Sequence, residues 1–377
     1  TEANAITATT LPLTFGEAAG GPNDENDYPP SWAGAGTFDI SNEPTISMTG
    51  NGTMTVPDGF DVYNLTVAAS GQTTTLTMPS NGANFDIYGT LTLGAGTFTD
   101  SSVNADIVIK GSAPPVVHAS STLANIWRVQ TIQNMTIPGT GYDNLYITNN
   151  STATAGGNVT MATDLSVISG STFNSGGYNV TTDTITNAGT VTLAAGSTLT
   201  FTDVSGCGFG SSAGTLNSNG TEGSPNVITS SAAGAPTNYW DGETQMDITA
   251  DWTTFDKMHS IRTDSSGNTW DIDDCTFSNW RPNYWPVWIK DNNTVTSFTN
   301  NTFSSPPGSN AFGPKFTQAH AAFDNIVISG SYTSDEITAD DAKLEFANSN
   351  FDITDVDLST SGAVISRNHN DTADLWE

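Results

Sequence analysis

An all-β chain wound as a right-handed parallel β-helix, or β-solenoid, is the fold this sequence predicts, on three observations. An apolar position returns at Phe255, Phe277, Phe303, Ile328 and Phe351, with successive gaps of 22, 26, 25 and 23 residues. A period of that size marks coils that cannot bury their hydrophobic face alone and must stack on the next coil. A phrase travels with the period: Ile272-Asp-Asp-Cys-Thr-Phe277, Phe298-Thr-Asn-Asn-Thr-Phe303 and Phe346-Ala-Asn-Ser-Asn-Phe351. Each sets an Asn/Asp-containing bend between two inward residues, which suits short strands joined by tight corners. Composition agrees. Ser and Thr make up about a quarter of the chain, while the residues that build long helices are scarce.

Three segments follow from the N-terminus onward. Residues 1–36 contain Gly20-Gly-Pro-Asn-Asp-Glu-Asn-Asp27 and Tyr28-Pro-Pro30, loop chemistry expected of an arm or cap. Strand signals begin near Gly36-Thr-Phe-Asp-Ile40, and residues 37–206 form duplicated β-rich repeats. Tyr63-Asn-Leu-Thr-Val67 answers Asp143-Asn-Leu-Tyr-Ile147, Thr75-Leu-Thr-Met78 answers Asn158-Val-Thr-Met161, and the stretch opening at Phe85 answers the one opening at Asp164. Inside each copy, apolar residues alternate with Thr, Ser or Gly at period two, as half-buried strands do. This part either continues one solenoid or forms a separate β-rich module. Residues 207–377, entered through the corner-like Gly206-Cys-Gly-Phe-Gly210, are the parallel β-helix itself.

Charge narrows the partners. Against 39 acidic residues stand 9 basic ones, for a net charge of −30. Such a surface repels nucleic acid and anionic membranes, because phosphate binding needs Lys and Arg. Charged residues total only 13% of the chain, unlike a disordered acidic tail. No apolar run is long enough to span a membrane, so no membrane insertion is expected. The chain begins at Thr, read here as a mature secreted form at the cell surface or outside it. Eleven Asn-x-Ser/Thr sequons permit glycosylation without indicating it. Cys207 and Cys275 are the two cysteines, and a disulfide between them suits an extracellular protein, with two buried thiols as the alternative.

Candidate chemistry concentrates at 270–290. Trp280, Tyr284, Trp285 and Trp288 sit in a Pro-rich segment unsuited to a helix, and such rings contact another subunit, stack on a glycan, or pack as a satellite core. Asp271, Asp273 and Asp274 are the paired carboxylates a polysaccharide-degrading enzyme would use. The four histidines, His118, His259, His320 and His369, are scattered without an evident partner. No cofactor is required. Calcium is the one ion the oxygen-rich clusters suit: Asp352, Asp355 and Asp357 first, then Asp24, Glu25 and Asp27, and Asp335, Glu336, Asp340 and Asp341.

The run Gly214-Thr-Leu-Asn-Ser-Asn-Gly-Thr-Glu-Gly-Ser-Pro-Asn-Val-Ile-Thr-Ser230 resembles a phrase common in right-handed parallel β-helix surface proteins. There a Gly-rich corner leads through a Ser-Pro step into a strand. Residues 163–201 similarly resemble coils of adhesins and of archaeal and bacterial envelope proteins. The resemblance covers roughly residues 60–360 and implies architecture far more than activity. With it, the expected function is a secreted structural protein that self-assembles into an extracellular filament, sheath or surface layer. A glycan-binding adhesin or spike is the alternative, and a polysaccharide-degrading enzyme ranks third.

Overall fold

The computed structural model describes residues 134–139, 141–202, 208–210, 214–231, 239–243, 246–262, 267–290, 293–304 and 312–317. Before these it describes 5–8, 13–14, 45–48, 52–55, 60–67, 71, 73–77, 84–94, 97–100, 106–111, 115–117 and 122–130. After them come 320–324, 327–328, 337–340, 343–347, 356–357 and 364–368. Among the described residues there is no helix, and the strands stack in parallel as a β-solenoid. The chain divides into two compact units, Thr1–Phe173 and Asn174–Glu377.

In the first unit, one sheet runs Ala5–Ala8, Thr45–Met48, Asn64–Val67, Leu91–Leu93, Val116–Val117, each strand parallel to the next. Its inward register Ile46, Leu65, Leu91 is fully buried. A second sheet carries the inward column Val62, Ile87, Ile109, Val129, Ile147, Val167. None of the six is more than 4% exposed. Polar neighbours such as Asp61, Asp86, Arg128, Tyr146 and Ser166 alternate with them, except beside Ile109, whose strand Asp106–Ile109 is buried throughout. The separation from Ile87 to Val167 covers four coils, so the repeat unit inside the duplicated region is the single coil.

The second unit carries the predicted phenylalanine column. Strands Thr253–Asp256, Thr276–Ser278, Thr302–Ser304 and Val327–Ile328 pair in register, aligning Phe255, Phe277, Phe303 and Ile328. Phe351 lies outside the described residues. Rings of Phe255 and Phe277 stack at 5.1 Å and 12°, and those of Phe277 and Phe303 at 4.7 Å and 10°. Upstream the column continues through Val180, Leu199 and Ile228. A facing sheet supplies Leu193, Ser218, Ala250, Ile272 and Phe298, and the Phe298 ring lies 6.3 Å from that of Phe277. Offset stacking of this kind adds about 0.5–1.5 kcal/mol per pair beyond area burial.

The corners explain why Asn and Asp recur in the repeat. Trp252, Asp274 and Asn300 occupy the same bend in successive coils with φ of 45°, 55° and 55°. Asn and Asp tolerate this left-handed region, whereas Trp252 holds it only under tertiary constraint. Each bend residue donates its N–H to the next coil: Trp252 to Asp273 O, Asp274 to Thr299 O, Asn300 to Asp324 O. Just inside the bend, buried Asn301 accepts from Cys275 N at 3.0 Å and donates to Ile272 O at 2.7 Å. Asn226 bridges Ser197 N and Leu193 O in the same fashion. The phrase at 214–230 forms strand Thr215–Asn219, a turn closed by reciprocal Thr221 and Ser224 backbone bonds, and strand Asn226–Ser230. At its corner Gly220 is required, since a Cβ would collide with the Trp252 carbonyl.

Candidate functional site

In the second unit, Met258–Arg262, Val287–Ile289 and Lys315–Thr317 pair in parallel. Val287 and Ile289 point inward and are fully buried. Period-two alternation therefore turns Trp288 outward, in register with Arg262 on one side and Lys315 on the other. The preceding segment is pinned by Arg281 N donating to Met258 O and Ile261 N donating to Pro286 O. It lays Trp285 against Trp288 at 5.0 Å and against Phe312 at 5.4 Å.

Cations cover these rings. Lys290 Nζ stands 3.9 Å from the Trp288 centroid, and Lys315 Nζ stands 4.3 Å from Trp285 and 4.8 Å from Trp288. The Arg281 guanidinium lies 4.7 Å over Tyr284. Four of the nine basic residues of the chain, Arg262, Arg281, Lys290 and Lys315, thus gather on one patch. Each cation–π contact contributes about 0.5–1 kcal/mol where partly exposed. Trp288 Nε1 donates to Thr317 Oγ1 at 3.0 Å, fixing its ring plane. Tyr284, Trp285 and Trp288 are half-buried, a rim that is partly satellite core and partly surface.

Trp280 departs from that group. It is 0% exposed and belongs to the core. The bend at Asn279 (φ 51°) repeats the one at Lys257 (φ 50°), and each is followed by a fully buried side chain, Trp280 and Met258 respectively. A Trp in that slot fills volume and presents nothing to a partner.

The aspartates lie on the facing sheet of the same unit. Asp251 and Asp273 are in register, as are Thr249 and Asp271. Asp273 Oδ1 accepts from Ser297 Oγ, Thr299 N and Thr299 Oγ1, all at 2.7 Å, which makes it a brace between coils. Burial, then the Asp273 charge, raises the Asp271 pKa, and Asp251 is raised by burial and by Asp273, Asp271 and Asp274. These carboxylates repel one another. His259, expected without a partner, meets Asp241 at 3.1 Å because one coil separates them, and its ring sits edge-on to Tyr284 at 3.9 Å.

A second charged group was not foreseen. In the first unit Asp61 and Asp86 are in register, Lys110 pairs with Asp86, and Arg128 pairs with Asp106. Asp86 and Asp106 are buried. Burial, with the neighbouring Asp86 charge, pushes the Asp61 carboxyl up to about 6. The tripeptides Phe60-Asp-Val62 and Phe85-Asp-Ile87, one coil apart, are the signal that could have found it.

For calcium, Asp352 and Asp355 lie outside the described residues, while Asp357 closes strand Val356–Asp357. Asp24, Glu25, Asp27, Asp335, Glu336 and Asp341 also lie outside them, and Asp340 ends strand Ile337–Asp340. Among the described residues no three His, Cys, Asp or Glu side chains are grouped to hold a metal. Cys275 is 1% exposed, its thiol donates to Asp273 O at 3.1 Å, and burial pushes its pKa up. Its predicted partner Cys207 lies outside the described residues.

No protein-family model, curated protein or solved structure matches this chain. The reading of function therefore rests on the patch, the acidic face and the coil that carries both.

Proposed function

We propose that this protein is an extracellular structural component that associates with copies of itself into a filament, sheath or surface layer. The observation that carries the reading is the Trp285–Trp288–Lys290–Lys315 surface. Tryptophan and tyrosine, here with Arg281 beside them, are the side chains that most often dominate interface energies, while the lysines supply charge complementarity. On a chain of net charge −30 they form a local basic feature on an acidic body. Stacked coils also support the reading, since a parallel ladder is a rigid unit well suited to repetition. Negative-stain microscopy and sedimentation of the purified protein, across NaCl and CaCl2 concentrations, test it. Ordered polymers are expected, and a monomer under every condition defeats the proposal.

A second reading is glycan binding, favoured by the same ring-plus-cation arrangement, which suits a carboxylated sugar. A glycan array probed with the wild type and with Trp285→Ala separates it from self-association.

A further inference from the structure

We infer that the aromatic–basic patch of one copy docks on the acidic face of the next, a head-to-tail contact between two different surfaces of the same chain. This rests on the self-association proposed above and names the two surfaces that meet.

Both surfaces belong to the second unit. The donor patch is Arg281, Lys290 and Lys315 over Tyr284, Trp285 and Trp288. Among the described residues Arg281 and Lys315 touch rings and make no ion pair, so their positive field faces outward beside apolar area. The receiving face is the sheet Asp247–Asp251, Thr269–Asp273, Thr294–Thr299. Asp251 and Asp271 stand on adjacent coils of this sheet, half-exposed or exposed, and each is held above the ordinary carboxylate range by burial and by like charge. A cation from another molecule would relieve that repulsion, whereas a second acidic surface would add to it. The two surfaces lie on different sheets of the coil, so engaging one leaves the other open. A heterologous contact of that kind propagates as an open chain unless its rotation closes a ring. Charge complementarity favours a second copy over an anionic polysaccharide, because the chain carries the matching acid itself.

The test compares two charge reversals at one fixed ionic strength by sedimentation velocity, with thermal midpoints as the folding control. Variant one is Lys290→Glu with Lys315→Glu. Variant two is Asp251→Lys with Asp271→Lys. Each alone is expected to weaken association at least about tenfold, and an equimolar mixture to restore it. Variant two decides most sharply. It lowers the net negative charge, so general repulsion predicts tighter association, while the docking contact predicts weaker. Should variant two fold poorly, Asp251→Asn with Asp271→Asn keeps the same sign at smaller size. Polymers formed equally well by both variants would overturn the contact and leave self-association standing. A wild type that stays monomeric overturns both. A monomeric wild type that retains polygalacturonate through Lys290 and Lys315 overturns the contact in favour of the glycan reading.

Discussion

The two units place their scarce cations differently, although Lys110 of the first also lies 5.2 Å from the Tyr88 ring centroid. In the first, Lys110 and Arg128 lie against Asp86 and Asp106, so positive charge is consumed by buried carboxylates on neighbouring coils. In the second, Arg281 and Lys315 lie over rings and, among the described residues, make no ion pair. A carboxylate neutralises its cation, whereas a ring quadrupole stabilises it and leaves its net charge in place. The first arrangement serves the fold. The second leaves a field that another molecule can feel.

The interior differs in parallel fashion, with aliphatics from Val62 to Val167 in one unit and stacked rings in the other. Phe277→Ala removes a ring sandwiched between Phe255 and Phe303, and is expected to lower stability by about 3–5 kcal/mol in chemical denaturation. Ile109→Ala, in the aliphatic column, should cost about 2–4 kcal/mol. Equal losses would show that ring stacking adds nothing to burial. Next in size, Arg128→Leu strands the Asp106 carboxylate and is expected to cost about 1–3 kcal/mol at neutral pH, below a fully buried pair because Arg128 remains partly solvated.

Asp61 gives the contrast a pH dependence. Its carboxyl titrates near 6 in the folded protein, against an ordinary value of 3.8. The folded state therefore holds a proton that the unfolded chain has released between those values, and stability falls as pH rises through that window. Asp61→Asn removes the penalty. Its unfolding free energy should match wild type at or below the lower value and exceed it above the higher one, by about 1 kcal/mol once the solvent that still reaches this half-buried group is allowed for, with the thermal midpoint moving in the same direction. A midpoint difference independent of pH would assign the effect to packing. Smallest of all, Lys315→Met should change stability by under about 1 kcal/mol while shifting tryptophan emission. A loss as large as that of Arg128→Leu would erase the distinction between the units.

Much of the coil was legible because phenylalanine is conspicuous and its period regular. The column's continuation through Val180, Leu199 and Ile228 was not, since those steps span 19, 29 and 27 residues and use common aliphatics. Ala250-Asp-Trp-Thr-Thr-Phe255 is another copy of the bend, hidden because Ala and Trp replace the usual large apolar and Asn. In the candidate site, the rings at 284–288 were readable together with Arg281 and Lys290 in the same stretch, but Arg262 and Lys315, which complete it, come from the coils on either side. Trp280 sits between Asn279 and Arg281, polar neighbours that disguise an inward side chain. The Asp61–Asp86–Lys110 group escaped for the same reason: its members meet only after winding.

The turn at Thr221–Ser224 has a practical use. Leu199 and Ile228 stay aligned although 29 residues part them, more than any neighbouring step, so the ladder tolerates added length at a corner. Glu222 and Gly223 face solvent, and nothing crowds the position of a Cβ at Gly223. A reporter peptide or a small domain spliced between those two residues would ride outside the coil without touching its core. If the copies polymerise, such a graft would be displayed at regular intervals, turning the protein into a ruler for whatever it carries.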